Sequence, residues 1–182
     1  MAVTTQDRGD EQAPHLVIYP GEFFFGEGAG RVQTLLGSCV GATFWHPQRR
    51  LGGLCHYLLP NRIEGLASRP LDARYGDEAL ELIHSAVLRK ATYSSDYVVK
   101  LFGGGDMFPL LDLSGAATGD TMLIGERNVA VGRKFLGEHG FILSAQDVGG
   151  SGYRVISLDL QTGDVSVRYR AVGPDKEHRL GG

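Results

Sequence analysis

Residues 37–60 read GSCVGATFWHPQRRLGGLCHYLLP, and this segment is the most informative part of the sequence for the fold. An apolar run, Val40–Trp45, leads into a polar break that contains a proline, His46–Arg50. A second apolar run, Leu51–Leu59, follows the break. Two β-type runs around such a break predict a β-hairpin.

The same hairpin predicts a chemical site. A turn centred between Pro47 and Gln48 places Cys39 directly opposite His56, where facing side chains are close enough to interact. Cysteine proteases and amidases use this pair of groups, because the imidazole takes the thiol proton and the thiolate acts as the nucleophile. We therefore expect Cys39 and His56 to lie within hydrogen-bonding reach, and the pKa of the Cys39 thiol to be lowered.

A structural role for both residues is the alternative. Buried cysteine is common as a small hydrophobe, and the pair Gly52–Gly53 could carry a bulge that shifts the register by one residue and brings Cys55 into play. Two features favour Cys39. It follows Gly37–Ser38, a small and sharply turning start that leaves backbone N–H groups free, and it lies at the mouth of the strand.

Other chemistries have weaker support in this stretch. His46, Cys55 and His56 are near one another in sequence, but no CxxC or HExxH spacing accompanies them. Adjacent residues on a strand point to opposite faces, so Cys55 and His56 cannot share one ion. Ser38 is a poorer nucleophile than a thiol beside an imidazole. The sequence predicts neither a metal site nor a cofactor.

Composition limits the class of protein. The chain has 182 residues, 42% hydrophobic and 21% charged, which suits one globular domain. A net charge of −3 argues against nucleic acid as the main partner. Two cysteines give no disulfide framework and suit a reducing compartment. The sequence has no membrane-length apolar run and no signal-type start, so we expect a cytoplasmic protein without membrane insertion.

Periodicity predicts two helices among several strands. Asp77–Ala91 and Ile124–His139 carry apolar residues at helical spacing, and His84 lies off the apolar stripe of the first, which predicts a surface position. The remaining β-type segments are Leu16–Phe25 with a break at Pro20–Gly21, Tyr97–Phe102, Phe141–Val148, Tyr153–Leu160 and Val165–Tyr169, and Arg31–Leu36 leads into the hairpin. The fold class is α+β, a layered sandwich of mostly antiparallel strands flanked by helices, with the Cys39–His56 hairpin at its edge.

The motifs also resemble a known family. TLLGSCVGATFWHP and GGLCHYLLP are followed, in the expected order, by RYGDEALELI, KLFGGGDMF, IGERNVAVGRKFL and QDVGGSGYRV. Together these segments resemble the chemoreceptor glutamine deamidases of the CheD family, over roughly residues 16–170. The GSCV, HxxLP and IGxRN blocks are specific in combination.

The resemblance implies particular site residues. It places the family nucleophile on Cys39 and the family base on His56. The third catalytic residue of the family is a threonine a few positions before the cysteine. That position is Thr34 here or, with the register one residue earlier, Gln33, in which case the threonine is absent. Asp106 departs from the family pattern, in which an amide residue is usual in the GGxxMF block.

The resemblance further implies an activity and partners. The activity is protein-glutamine glutaminase, which hydrolyses glutamine side chains of methyl-accepting chemotaxis receptors to glutamate and ammonia. A CheC-type phosphatase is a second implied partner, and a non-catalytic or weakly catalytic regulatory module is the alternative function. We expect one deamidase domain over residues 16–170, preceded by a disordered segment, 1–15, and followed by a polar tail, 171–182.

Overall fold

A computed structural model describes residues 15–62, 70–107 and 123–171. The predicted disordered segment 1–15 and the polar tail 171–182 lie outside these ranges, apart from His15 and Ala171, which belong to strands. Within the described ranges the chain forms nine strands and two α-helices. In chain order they are β1 (His15–Val17), β2 (Phe23–Glu27), β3 (Arg31–Leu36), β4 (Val40–His46), β5 (Leu51–Tyr57), α1 (Gly76–Arg89), β6 (Val98–Gly103), α2 (Ile124–Glu138), β7 (Ile142–Val148), β8 (Gly152–Asp159) and β9 (Val165–Ala171).

The strands form two sheets. One sheet has the order β2-β5-β4-β6-β7 and the other has the order β1-β3-β8-β9. All neighbouring pairs are antiparallel except β1 with β3 and β6 with β7. The predicted α+β class and the mostly antiparallel sandwich are confirmed.

Two hydrophobic cores separate the chain into three layers. The first core packs α1 and α2 against one face of the five-stranded sheet, through residues such as Phe44, Tyr57 and Ile83. The second core packs the other face of that sheet against the four-stranded sheet, through Leu54, Phe102, Ile156 and others. The helices therefore cover one side only, because the second sheet buries the other.

The hairpin formed by β4 and β5 lies inside its sheet rather than at an edge. β2 pairs with β5 and β6 pairs with β4, so each hairpin strand has a neighbour on both sides. The predicted edge position is wrong for this reason. The consequence is burial: all seven residues of β5 are buried, and the site is built on a fixed backbone.

The turn of the hairpin is centred one residue later than the sequence suggested. His46 pairs with Leu51, so four residues form the turn, and the Arg50 N–H donates to the His46 carbonyl at 2.9 Å. Arg50 has a φ of 48°, the left-handed conformation that closes such a turn. The register is continuous through Gly52–Gly53 without a bulge. His56 consequently faces Gly41 rather than Cys39, a shift of two residues.

Candidate active site

His56 occupies a central, buried position on β5. Its side chain points toward the four-stranded sheet, while Cys55 points into the helix-side core. The residue is 1% exposed, and its backbone is bonded to the stretch before β2, with N–H to the Glu22 carbonyl at 3.0 Å and carbonyl to the Gly21 N–H at 2.8 Å. The imidazole is therefore held by a backbone that is paired on both sides.

Thr34 fixes the tautomer of that imidazole. Thr34 lies on β3 of the opposing sheet, and its Oγ1 is 2.7 Å from both His56 Nδ1 and the Ile18 carbonyl oxygen. A carbonyl only accepts, so the single hydroxyl proton of Thr34 goes to Ile18. Nδ1 must then donate its proton to Thr34 Oγ1, and the lone pair of the ring is on Nε2. Nε2 is buried and has no hydrogen-bond partner among the described residues. An imidazole in this state can accept a proton at Nε2.

Cys39 lies on the same face of the sheet as His56, although not opposite it. It precedes β4 and stands two residues before Gly41, the partner of His56. An even displacement keeps the side chain on the same face, and Cys39 packs against the core between the two sheets. Gly41 has no side chain, so no β4 side chain stands directly over the imidazole. Diagonal neighbours lie farther apart than a facing pair, and His56 Nε2 has no hydrogen-bond partner among the described residues, so the expected hydrogen bond between Cys39 and His56 is not formed in this structure.

The backbone before β4 is tied down from three directions. The carbonyls of residues 37, 38 and 39 accept bonds from Gly105 N–H at 2.8 Å, Asn128 Nδ2 at 3.1 Å and Gly104 N–H at 2.8 Å, respectively. Gly103 has a φ of 102°, and a Cβ on it would collide with the Cys39 carbonyl oxygen. The glycine block 103–105 is thus a close backbone approach to the candidate nucleophile, and it binds two of the three carbonyls, while Asn128 binds the third.

Burial sets the charge state of the candidate pair. Burial lowers the pKa of His56 to about 4 and raises the pKa of the Cys39 thiol. The expectation of a lowered thiol pKa is therefore wrong, because loss of solvent disfavours the thiolate. Burial raises the pKa of Cys55 further, to about 12. At neutral pH the thiol of Cys39 and the imidazole of His56 are therefore both neutral.

Asn128 is the site residue for which sequence reasoning gave no role. It is 0% exposed on α2, and its Nδ2 also donates to the Leu58 carbonyl at 2.8 Å, so one amide group joins the start of β4 to the end of β5. The Tyr57 hydroxyl donates to the Asn128 carbonyl at 2.9 Å. Asn128 lies in the IGERN block that the sequence comparison singled out, but only the three-dimensional packing shows which carbonyls its side-chain amide reaches.

The other sequence candidates lie elsewhere. Gln33 and Thr34 are adjacent on β3 and point to opposite faces, and of the two Thr34 is the residue bonded to His56. Asp106 is anchored through its N–H, which donates to the Gly150 carbonyl at 2.8 Å. His46 lies at the far end of the hairpin, near Asp96. A cleft of about 740 Å³ is lined by residues of β1, β2 and 70–73, and does not include Cys39, His56 or Thr34.

Comparison with known proteins identifies the family. The family model described as "CheD chemotactic sensory transduction" matches residues 58–169, more than half of the chain.

The chain belongs to the CheD family.

Similar curated proteins extend the match to the hairpin. The chain is 46% identical over 162 residues to "Probable chemoreceptor glutamine deamidase CheD 3" of Dechloromonas aromatica, covering 89% of this chain and 91% of that protein. It is 44% identical over 158 residues to "Probable chemoreceptor glutamine deamidase CheD" of Pseudomonas fluorescens, with 87% and 86% covered. Stretches of this length include Thr34, Cys39 and His56 wherever they begin, whereas the family model starts after His56.

A solved structure titled "Crystal structure of Bacillus licheniformis hypothetical protein YfiH" has a TM-score of 0.44 and 13% identity, and the match covers 71% of this chain and 49% of that one. This likeness is too slight to carry an argument. Among the described residues of the CheD-family chain, neither helix has the length and apolarity to cross a bilayer.

Proposed function

We propose that this chain is a chemoreceptor glutamine deamidase in which Cys39 is the nucleophile, His56 the general base and Thr34 the residue that orients the base. The observation that carries the proposal is the Thr34–His56 bond of 2.7 Å, which directs the proton-accepting Nε2 away from the hydrogen bond. Membership of the CheD family and relatives named as glutamine deamidases support the substrate.

The neutral resting pair defines the first step. As the Cys39 sulfur attacks the carboxamide carbon of glutamine, Nε2 of His56 takes the thiol proton in the same step. The resulting imidazolium protonates the leaving nitrogen, ammonia departs, and a γ-glutamyl thioester remains. His56, neutral again, removes a proton from water, which attacks the thioester and gives glutamate and the free thiol. No metal or cofactor takes part in this sequence.

The transition state needs donors for the developing oxyanion. We assign this role to the backbone N–H of Cys39 and of a neighbouring residue. The support is the orientation of the segment: its three carbonyls are bound by Gly104, Gly105 and Asn128, which leaves the opposite side of the peptide planes for donors. Donors that are already fixed need no rearrangement at the moment of reaction, and removing one typically costs about 10²–10³ in rate.

The substrate is the cytoplasmic domain of a methyl-accepting chemotaxis receptor, and the chain acts as one deamidase domain over residues 16–170 in the cytoplasm. A CheC-type phosphatase is a further partner. These assignments of substrate, compartment and partner rest on the resemblance to the family. The site alone cannot identify the substrate, because a primary amide offers too little surface for selection among glutamines.

Mass spectrometry of receptor fragments incubated with the protein tests the proposal. We expect a mass increase at particular glutamines and one ammonia per site. Cys39→Ala and His56→Ala should each lower the rate by roughly 10⁴-fold or more, without adding when combined, because the two groups act as one unit. Cys55→Ala is the matched control and keeps the activity. Binding of receptor without ammonia release by the wild type would instead favour the regulatory-module alternative, and full activity of Cys39→Ala would refute the mechanism.

A further inference from the structure

A second chemical cluster lies between the two helices, on the helical side of the five-stranded sheet. Glu81 and His84 are three residues apart on α1 and so lie on the same face. His139 caps the C-terminal end of α2, which packs against α1. Glu81 Oε2 is 3.9 Å from His84 Nδ1 and 4.0 Å from His139 Nε2. One ligand atom from each residue lies within 4.8 Å of the other two.

The His139 ring is already oriented for a ligand. Its Nδ1 is 2.9 Å from the Phe135 carbonyl oxygen, and because a carbonyl only accepts, Nδ1 carries the proton. The lone pair is therefore on Nε2, the atom that faces Glu81. The ring also stacks on Phe135, with centroids 3.8 Å apart and planes 11° from parallel. A hydrogen bond from the far ring nitrogen to a backbone carbonyl is the usual support of a metal-binding histidine.

His84 is packed rather than exposed, contrary to the sequence-based expectation. Its side chain is 18% exposed, and its ring makes edge contacts with Phe141 at 5.8 Å and with the His139 ring at 4.9 Å. The prediction failed because Phe135 of α2, its C-cap His139 and Phe141, just before β7, pack against the flank of α1. Aromatic walls restrict the rotation of this imidazole and keep Nδ1 directed toward Glu81.

No direct bond explains why the three groups converge. Separations of 3.9 and 4.0 Å are too long for hydrogen bonds, and each contact is an ion pair only if the imidazole is protonated. Within the described ranges, no lysine or arginine lies at ion-pair distance from Glu81, whose Oε1 accepts only from the Ser85 hydroxyl at 3.3 Å. Glu81 Oε2 and the two ring nitrogens thus face a common point without satisfying one another.

We propose that Glu81, His84 and His139 bind a divalent transition-metal ion of the zinc class. Two imidazoles and a carboxylate are a zinc donor set, with bonds of about 2.0–2.2 Å. Tetrahedral geometry at those lengths separates the ligand atoms by roughly 3.4 Å. The two gaps to Glu81 Oε2 therefore need to close by about half an ångström, and the gap between the two imidazole nitrogens, which is within 4.8 Å, by about 1.4 Å at most. Calcium and magnesium are unsuited, because they require mostly oxygen ligands. Water fills the fourth position.

The bound ion would connect α1 to the end of α2. Asn128, near the start of α2, holds the carbonyls on both sides of the hairpin, so the ion would stabilise the helix that carries this clamp. A ligand that binds the folded state but not the unfolded state raises the melting temperature. For zinc at a hundred times its Kd, we expect a rise of roughly 5–10 °C.

Zinc titration of the reduced, full-length protein, followed by calorimetry, tests the site. The cluster variants are made in the Cys39→Ala protein, which serves as the background, since a thiol near His56 could also hold zinc. We expect one Zn²⁺ per chain in the wild type and in Cys39→Ala. In that background, Glu81→Gln, His84→Gln and His139→Gln should each weaken binding at least ~10-fold, the smallest loss typical of removing even a residue that orients a ligand. The matched controls Glu138→Gln and His15→Gln, exposed residues outside the cluster, should bind as the background does.

Cobalt(II) absorption gives a reading that does not depend on the folding of the cluster variants. The Cys39→Ala protein should show the visible bands of a four-coordinate Co²⁺ with nitrogen and oxygen ligands, and no thiolate charge-transfer band. Loss of stoichiometric metal binding in Cys39→Ala would overturn the proposal, because the ion would then belong to the thiol. Unchanged affinity in the three cluster variants would overturn it equally.

Discussion

Replacing Thr34 by valine tests whether the hydroxyl really determines the protonation of His56. Valine matches threonine in shape, so the substitution removes the hydroxyl and leaves no cavity. Two partners lose their bond at once: the Ile18 carbonyl and the Nδ1–H of His56, each 2.7 Å from Oγ1. Each buried group left without a partner costs about 1–3 kcal/mol. The free energy of unfolding should fall by roughly 2–6 kcal/mol.

The activity of Thr34→Val should fall further than its stability alone explains. Without an acceptor at Nδ1, the ring proton can move to Nε2, and an Nε2–H imidazole cannot take the Cys39 proton. We expect kcat/KM for receptor deamidation to fall roughly 10–100-fold, as for other residues that orient an imidazole. Nitrogen chemical shifts of the histidine ring distinguish the two tautomers directly.

Thr34→Ser is the matched control, because it keeps the hydroxyl and loses one methyl group, about 1 kcal/mol of burial. It should retain the Nδ1–H tautomer and most of the activity. If Thr34→Val kept the wild-type tautomer and a rate within twofold of wild type, the hydrogen bond would have no role in setting the base.

Three further measurements address burial and the hairpin clamp. Iodoacetamide should modify Cys39 well before Cys55, whose pKa is raised to about 12. The rate of Cys39 modification should keep rising with pH above neutrality, because burial also raises the pKa of Cys39. Equal modification rates at both thiols would contradict this prediction. The pKa of His56 is about 4 in the folded protein and 6.5 in the unfolded chain, so between these pH values only the unfolded chain binds a proton at this residue. Roughly 3 kcal/mol of the free energy of unfolding, present above pH 6.5, should therefore be lost as the pH falls to 4. Urea unfolding across this pH range should show a smaller loss of unfolding free energy in His56→Asn than in the wild type. Equal losses in the two proteins would contradict the burial argument. Asn128→Ala should unfold roughly 2–4 kcal/mol more easily, since two carbonyls lose their donor, and the folded fraction should have a lower kcat; unchanged values for both would mean that the amide does not hold the hairpin.

Local sequence information was sufficient for the hairpin and for its faces. The two apolar runs around the polar break were enough to predict the hairpin, and the predicted turn centre was one residue too early, which moves the facing register by two residues. An even error changes which residues stand opposite each other but leaves every side chain on its own face. Cys39 and His56 therefore share a face even though they are not a facing pair.

Contacts between distant segments were beyond sequence reasoning. The bond between Thr34 and His56 joins two different sheets, and no periodicity within β3 or β5 reveals which sheet each will enter. The convergence of His84 and His139 depends likewise on how α1 packs on α2. The prediction that the pKa of the Cys39 thiol is lowered was wrong for a related reason, since the depth of burial depends on how the layers pack together.

The position of Thr34 also has a consequence for when the enzyme can become active during synthesis. Thr34 is held in place by β3, which lies between β1 and β8, and it pairs with Ile156 near the end of the chain. While a ribosome is still translating β8, Cys39, His56 and the five-stranded sheet's early strands have already emerged, but the strand that carries Thr34 lacks its main neighbour. Pairings between such distant segments form late. A nascent chain therefore has a thiol without an oriented base, and a truncated product should remain inert toward the glutamines of the cell.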